Sequence, residues 1–161
     1  MERYAAVITV SDRGAAGERV DESGPVAVRA LRAGGFLCGE ARIVPDGVDS
    51  VAGALRAAIA EGARLLVTTG GTGVSPRDQT PEGTALVLTR DIPGIAEELR
   101  RVGTAGKPAG MLSRGRAGVV DDAGALVVNL PGSPAAVAEG MPVVLSVAVH
   151  VLDQLAGGDH R

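Results

Sequence analysis

The sequence has very few aromatic residues, no tryptophan and a single cysteine. Tyr4 and Phe36 are its only phenyl or phenol side chains, and proteins that bind single-stranded nucleic acid need exposed rings on which bases stack. The net charge of −3 provides no overall basic surface for a polyanion. A nucleic-acid-binding module is therefore disfavoured, and the core must be built from Ala, Val, Leu and Ile.

Long apolar runs and paired thiols are also missing. Cys38 stands alone, so the sequence has no intrachain disulfide and no thiol cluster for a metal, and a buried structural cysteine is expected. The first apolar run is too short for a signal peptide, and no stretch approaches the ~20 apolar residues of a membrane span. We therefore expect a cytoplasmic protein without a membrane partner.

The chain of 161 residues has the length of one domain. We expect this domain over residues 1–157, followed by a frayed tail over 158–161. Short β-branched runs alternate with segments of helical periodicity, which predicts a three-layer α/β sandwich with a mainly parallel sheet and one antiparallel hairpin. The predicted strands are 5–10, 36–44, 64–69, 115–121 and 125–130, and the predicted helices are 24–34, 51–62, 81–90, 95–102 and 134–155. Ser23, Asp49 or Ser50, and Thr80 are the expected N-caps.

The last predicted helix is apolar on more than one side. Such a helix is usually buried in a large core, but in a chain of this size a subunit interface explains the pattern equally well. His150 within it is expected to have a structural role.

Four polar segments follow predicted strands, at 11–13, 45–47, 68–84 and 129–134. In open α/β sheets, ligands bind outside the carboxyl ends of the strands, near the point where the strand order reverses. We therefore expect these segments to converge on one edge of the sheet.

The third segment, TTGGTGVSPRDQTPEGT, resembles a phosphate-binding loop but lacks the lysine of a P-loop. Its glycines permit φ > 0 and close approach of backbone N–H groups to an oxyanion, and its hydroxyls add donors. A tight connection from strand to helix is the structural alternative. The candidate nucleotide- and phosphate-binding residues are Gly70, Gly71, Thr72, Gly73 and Ser75.

Asp78 lies in the same loop, and Asp46 follows a neighbouring strand. A carboxylate beside bound phosphates repels them unless a cation intervenes, and Mg²⁺ typically takes one or two protein carboxylates together with phosphate oxygens. The two aspartates therefore predict a magnesium site, although each could instead be a turn residue. Arg77, Arg13 and Arg114 could meet other anionic groups or remain solvated.

These motifs together resemble the MogA/MoaB family of molybdopterin-binding proteins, which also occurs as a domain of gephyrin. They follow the order and spacing of that family along almost the whole chain. The matching segments are SDRGAAG at 11–17, DESG at 21–24, VPDG at 44–47, TTGGTGVSPRDQTPE at 68–82, LSR at 112–114 and NLPGSP at 129–134.

The resemblance implies a MoaB/MogA-like fold that assembles as a homotrimer or a hexamer. It also implies adenylylation of molybdopterin with ATP as co-substrate and Mg²⁺ as cofactor, and hand-over of the product to a molybdenum-insertion protein. Asp46 and Asp78 are thereby assigned to Mg²⁺ and catalysis. The remaining substrate pocket is assigned to Ser11, Asp12, Glu82, Ser113, Arg114, Asn129, Pro131, Gly132 and Ser133.

Two positions depart from the family pattern, Gln79 and Gly83. Gly83 replaces an alanine and is expected to loosen the start of its helix by roughly 0.5–1 kcal/mol. A non-catalytic molybdopterin-binding or carrier protein of the same fold is the alternative function. A nicotinamide-dependent oxidoreductase is disfavoured because no strand ends in a G-x-G-x-x-G fingerprint.

Overall fold

A computed structural model describes residues 2–158, which form one seven-stranded sheet with helices on both faces. Residues 159–161 of the expected frayed tail lie outside the described residues. The strands are β1 Tyr4–Val10, β2 Leu37–Cys38, β3 Arg42–Val44, β4 Leu65–Thr69, β5 Arg90–Asp91, β6 Ala117–Val120 and β7 Ala125–Leu130. The helices are α1 Asp12–Ala15, α2 Ser23–Ala33, α3 Val48–Ala60, α4 Thr80–Ala85, α5 Pro93–Gly106 and α6 Pro134–Leu155.

The strand order is β2-β1-β4-β7-β6-β5, and β3 also pairs with β1. The strands β2, β3 and β4 run parallel to β1, and β7 runs parallel to β4. The strand β6 pairs antiparallel with both β5 and β7. The prediction of a mainly parallel sheet with one antiparallel hairpin is therefore confirmed.

Apolar side chains fill both faces of the sheet. Leu31, Leu126 and Met141 belong to the cluster on the face covered by α2, α5 and α6. Val51 and Leu66 belong to the cluster on the opposite face, which is covered by α3 with α4 beside it. Because both faces are covered, β4 and β7 are buried at every residue and read as continuous apolar runs. The three-layer prediction is confirmed.

Three predicted elements differ clearly in extent, one of which is α5, predicted at 95–102 and observed at Pro93–Gly106. The strand predicted at 36–44 is two short strands, because β2 pairs with the start of β1 and β3 pairs with its end, with residues 39–41 between them. The helix predicted to reach Arg90 ends at Ala85, since the N–H of Thr89 donates to the carbonyl of Val119 and draws the chain into the sheet edge. Arg90 therefore begins an edge strand.

The three predicted N-caps are wrong. Ser23, Ser50 and Thr80 lie inside their helices, and Asp49 does too. The Thr80 hydroxyl instead donates to the carbonyl of Gly70, 2.9 Å away. Ser11, which was not predicted as a cap, accepts the N–H of Gly14 at the start of α1.

Helix α6 has the predicted bounds but is more apolar than the sequence analysis allowed. Its 22 residues have a mean hydropathy of 1.8 over an 18-residue window, so by length and composition it could cross a membrane. The expectation that no segment approaches such a span is wrong on that measure. A helix that is buried in a protein core has the same composition, and Val137, Val144 and Leu152 of α6 are buried against the sheet.

Candidate functional site

The polar segments that follow β1, β3, β4 and β7 meet at one edge of the sheet. The N–H of Gly70 donates to the carbonyl of Leu130, 3.0 Å away, and a Cβ on Gly70 would lie 2.4 Å from the carbonyl oxygen of Val10. The N–H of Ser11 donates to the carbonyl of Val44 over 2.9 Å. The predicted convergence is therefore present, at the place where crossovers leave β1 and β4 in opposite directions.

The glycines of the loop after β4 are required for two different reasons. Gly70 and Gly71 have φ of +90° and +69°, a conformation that side chains with a Cβ rarely adopt. Gly73 does not have a positive φ, so that part of the prediction is wrong for this residue. A Cβ on Gly73 would lie 2.8 Å from Oδ2 of Asp78, so glycine is needed there for close approach.

The loop is fixed at its base by α4. The N–H of Thr80 donates to the carbonyl of Gly71 over 3.1 Å, and its hydroxyl donates to Gly70. The positive end of a helix that is only 6 residues long contributes little charge, so the loop amides are the main donors.

Arg114 holds the loop from its other side. Its Nε donates to the carbonyl of Gly73 and its Nη2 to the carbonyl of Asp78, both over 2.8 Å. Its Nη1 forms an ion pair with Glu82. Although burial acts to raise it, the hydrogen bond from Arg114 lowers the pKa of Glu82. The side chains of Arg114 and Glu82, both predicted for the substrate pocket, are thus engaged in shaping the loop.

Asp12 and Asp46 are joined by two hydrogen bonds, each from the backbone N–H of one residue to the carboxylate of the other. The N–H of Asp12 donates to Oδ2 of Asp46 over 3.0 Å, and the N–H of Asp46 donates to Oδ1 of Asp12 over 3.1 Å. Arg77 of the loop joins them, because its Nε and Nη2 each lie 3.0 Å from Asp12 and its Nη2 lies 2.8 Å from the carbonyl of Asp46. These contacts tie the ends of β1 and β3 to the loop after β4.

The two carboxyl groups differ in their electrostatics. The guanidinium of Arg77 lowers the pKa of Asp12 through its hydrogen bonds. Burial raises the pKa of Asp46, and the negative charges of Asp12 and Asp78 raise it further. Asp46 therefore lies in a negative field that a bound cation would relieve.

The carboxylate oxygens of Asp46 and Asp78 are suitable ligands for a magnesium ion. In residues 2–158, Oδ1 of Asp46 and Oδ1 of Asp78 receive no hydrogen bond, while each Oδ2 accepts one backbone N–H. A Cβ on Gly71 would lie 3.1 Å from Oδ1 of Asp46, so this oxygen lies against the loop. No group of three or more acidic, His or Cys side chains occurs in that part of the chain, and Mg²⁺ held by two carboxylates takes its other ligands from phosphate and water.

A cleft of ≈ 570 Å³ opens beside the glycine loop. Asp78 lines it directly, whereas Asp46 contacts the loop at Gly71 and is not among the described residues that line the cleft. The walls opposite the loop come from α5, the 3₁₀ turn Pro108–Leu112 and the start of α6. The predicted site residues that line it are Gly70, Gly71, Thr72, Gly73, Asp78, Ser113, Asn129, Pro131, Gly132 and Ser133.

A second cleft of ≈ 330 Å³ adjoins the first, and both are bounded by Gly70, Gly132 and Ser133. Ser11 lines this smaller cleft together with the segment 19–23. Five predicted residues are absent from both linings within the described chain: Asp12, Asp46, Ser75, Glu82 and Arg114.

Asn129 has a side chain that the fold already uses. It is 2% exposed, its Nδ2 donates to Thr68 and Thr84, and its Oδ1 accepts the N–H of Arg116. Any contact of Asn129 with a ligand must therefore be made with the few atoms that remain at the cleft surface.

Sequence reasoning missed three charged residues in the larger cleft: Arg100, Lys107 and Glu139. They come from α5, the turn after it and α6, and no glycine or polar motif marks them. That Lys107 is the only lysine in the chain was a signal that could have singled it out.

Comparison with known proteins agrees with this α/β fold. A family model described as "Probable molybdopterin binding domain" matches residues 6–151. The chain belongs to this family. It is 39% identical over 155 residues to a molybdopterin adenylyltransferase of Pyrococcus furiosus, covering 91% of this chain and 87% of that protein.

Other similarities agree. The chain is 40% identical over 157 residues to a molybdenum cofactor biosynthesis bifunctional protein of Synechococcus elongatus, covering 98% of this chain and 49% of that protein. It thus spans about half the length of that relative. The solved structure of the molybdopterin biosynthesis Mog protein from Mycobacterium ulcerans superimposes with a TM-score of 0.89 at 43% identity, covering 98% of this chain and 99% of that one. The MoaB/MogA-like fold is confirmed.

Proposed function

We propose that this protein is a molybdopterin adenylyltransferase that uses Mg-ATP. The terminal phosphate oxygen of molybdopterin attacks the α-phosphorus of ATP, the bond to the β-phosphate oxygen breaks, and pyrophosphate leaves. The single observation that supports this most is the position of Asp78 and Asp46. Both carboxylates adjoin a loop of glycine amides, and the larger cleft opens at that loop.

The proposed reaction needs no lysine or histidine base. The attacking group is already an anionic phosphate, so the main barrier is to bring two anions together in line. Gly70 and Gly71 both adopt positive φ. The N–H of Gly70 donates to the carbonyl of Leu130, so the proposed phosphate donors are the amides from Gly71 onward, and Arg114 and Thr80 fix the loop around them. A loop that is rigid before substrate binds spends no reorganisation energy during the reaction.

Magnesium would be held by Asp46 and Asp78, and it would supply positive charge to the phosphate oxygens. The oxygens without hydrogen bonds in residues 2–158, one on each carboxylate, are the proposed ligand atoms. Asp12 and Arg77 act as positioning residues, since they hold Asp46 against the loop without being among the residues that line the cleft.

The test is incubation of the protein with molybdopterin, ATP and Mg²⁺, followed by detection of pyrophosphate and adenylyl-molybdopterin. We expect both products from the wild type, and a loss of about 10²–10³-fold in Asp78→Asn, as for other groups that stabilise transition-state charge. Asp122→Asn is the matched control, because Asp122 is exposed in the turn that precedes β7, at the opposite end of the sheet.

Binding of molybdopterin without product formation would instead support the non-catalytic binding or carrier function. Wild-type turnover in Asp78→Asn would contradict the role that we assign to this residue.

We further propose that the protein assembles as a homotrimer through the outer face of α6. Pro142 and Val149 of this helix are exposed, and Val143, Val147 and Val151 are only partly covered. A face of this composition is typical of subunit contacts. Light scattering after gel filtration should give three chain masses for the wild type, and Val149→Glu should shift the protein toward the monomer.

A further inference from the structure

The larger cleft has one wall that the adenylylation chemistry leaves without a role. It is formed by the end of α5, the turn after it and the first turns of α6, and it contains the charged residues Arg100, Lys107 and Glu139. The reacting phosphates are assigned to the glycine loop. A charged group on the opposite wall is therefore available to recognise the remainder of a substrate.

Glu139 is an exposed residue whose carboxylate lies against the C-terminal end of α5. A Cβ on Gly106, the last residue of α5, would lie 3.2 Å from Oε1 and 3.4 Å from Oε2 of Glu139, so both carboxylate oxygens face the end of that helix. The C-terminus of a helix carries a partial negative charge from its carbonyl groups. The Glu139 carboxylate and the end of α5 thus both present acceptor groups to this part of the wall.

No protein donor compensates Glu139 in residues 2–158, where it forms no hydrogen bond and no ion pair. Nη1 of Arg100 donates to the carbonyls of Ser113 and Gly115, at 3.4 and 3.0 Å. Lys107 is exposed and is not within ion-pair distance of the Glu139 carboxylate. A carboxylate that lines a cleft in this state is suited to accept hydrogen bonds from a ligand.

Apolar side chains line the same cleft as Glu139. Leu99 and Val102 of α5, Leu112 of the following turn and Ala136 of α6 line it. Such walls pack well against a flat ring, while a single carboxylate fixes the orientation of the ring. The ligand at this wall should therefore be planar, and its edge should carry N–H donors.

We propose that Glu139 recognises the pterin ring of the substrate by accepting hydrogen bonds from the ring N–H and the neighbouring exocyclic amino group. The inference rests on the proposed function, which makes a pterin the substrate. The two donors are adjacent on the pyrimidinone edge and match the two oxygens of one carboxylate, the geometry of a bidentate pair.

Adenine has a different edge, on which the amino donor stands beside an acceptor nitrogen. A carboxylate facing that edge gains one hydrogen bond but places two acceptors against each other, which is unfavourable. Glu139 is thus a specificity-determining residue, and it directs the pterin rather than the adenine of ATP to this wall.

The test is binding of 6-hydroxymethylpterin, followed by its own fluorescence, which no tryptophan of this chain obscures. We expect Glu139→Gln to weaken binding by about 10–100-fold, as for other hydrogen bonds to charged groups. Glu97→Gln is the matched control, because Glu97 is exposed on α5 and outside the cleft lining. It should bind the pterin within about twofold of the wild type, since surface changes have small effects.

Adenosine in the same assay supplies the specificity control. It should compete poorly with the pterin in the wild type and better in Glu139→Gln, whose amide offers one donor and one acceptor. No saturable binding of the pterin to the wild type, equal binding by Glu139→Gln, or equal loss in Glu97→Gln would overturn the inference.

Failure of the proposed function is separable from failure of this inference. If adenylyl-molybdopterin is not formed but pterin binding depends on Glu139, the transferase proposal fails and pterin recognition stands. If adenylylation proceeds and Glu139→Gln changes neither pterin binding nor the competition by adenosine, the transferase proposal stands and the recognition role fails.

Discussion

The loops after β1 and β3 place an aspartate at equivalent points of the sheet edge, yet the two residues are in opposite situations. Asp12 faces the guanidinium of Arg77, which lowers its pKa. Asp46 is partly buried and faces two other carboxylates, which together with burial raise its pKa. Each also accepts a backbone N–H from the other.

This difference indicates that the carboxylate of Asp12 has a structural role, whereas the carboxylate of Asp46 is available to a ligand. The guanidinium of Arg77 donates to both carboxylate oxygens of Asp12 but only to the backbone carbonyl of Asp46, so the Asp46 carboxylate keeps a raised pKa beside the glycine loop. Functional sites often accept such unfavourable electrostatics, because the missing charge arrives with the substrate. Four predictions concern variants that change Asp12, Asp46 or the residues around them.

The largest effect is expected for Asp46→Asn. Removal of one of the two proposed magnesium ligands should lower the adenylylation rate by about 10²–10³-fold while the fold is retained. Circular dichroism should verify the fold, and Asp49→Asn is the control, since Asp49 is exposed in the first turn of α3 only three residues away. A rate close to that of the wild type would show that Asp46 is no more than a turn residue.

A stability effect of intermediate size is expected where α4 packs on α3, the helix that follows Asp46. A Cβ on Gly83 would lie 2.7 Å from the carbonyl oxygen of Val48, the first residue of α3. The expectation from sequence that glycine merely loosens this helix is therefore wrong, because the close approach requires it. We expect Gly83→Ala to reduce the free energy of unfolding by about 1–3 kcal/mol in urea titrations.

The matched substitution is Gly53→Ala on the exposed side of α3, where an added Cβ meets no atom within 4 Å. It should increase the free energy of unfolding by roughly 0.5–1 kcal/mol through helix propensity. Equal effects of the two substitutions would contradict the packing argument.

A smaller effect on turnover is expected for Asp12→Asn. Loss of the ion pair frees Arg77 and loosens Asp46, which should slow adenylylation by about tenfold or less through misplacement of the proposed metal ligand. Arg77→Gln should have a similar effect, and the double variant should be no worse than either single variant, since the residues act through one contact. Fully additive losses in a double-mutant cycle would show that Asp12 and Arg77 act separately.

The smallest effect is the dependence of stability on pH. Because the pKa of Asp46 is raised, its favourable contribution is present below the unfolded pKa of about 3.9 and is lost as the pH rises through the folded value. Asp46→Asn should therefore be more stable than the wild type at neutral pH, by about 1–3 °C in Tm for a partly exposed group. The difference should vanish below about pH 4.

Asp12→Asn should show the opposite sign. The lowered pKa of Asp12 means that its contribution is present above the unfolded pKa and is lost as the pH falls through the folded value. The variant should thus be less stable than the wild type at neutral pH and equal to it in acid. Thermal melts of both variants across the acid range check the two signs together.

The sheet and its loops were predictable because the apolar runs and the glycine motif are local patterns. The strands β4 and β7 are buried on both faces, so their sequences show uninterrupted apolar character. The edge strand Arg90–Asp91 was not predictable, since it has two exposed residues and is set by pairing with β6.

The location of the site was predictable, but the role of each of its charged residues was not. The motifs place Asp12, Asp46 and Asp78 at one edge, and only the fold shows which of them meets Arg77. Glu139 was missed because it stands on α6 among apolar residues, and its role depends on the end of α5 that faces it.

Binding of a non-hydrolysable ATP analogue with and without Mg²⁺, measured by calorimetry, tests most directly whether Asp46 and Asp78 share one cation with the triphosphate. We predict that Mg²⁺ tightens binding to the wild type, and that Asp46→Asn, Asp78→Asn and the double variant all lose this gain to the same extent. If either single variant keeps the full Mg²⁺-dependent gain, the two carboxylates do not hold a common ion beside the glycine loop.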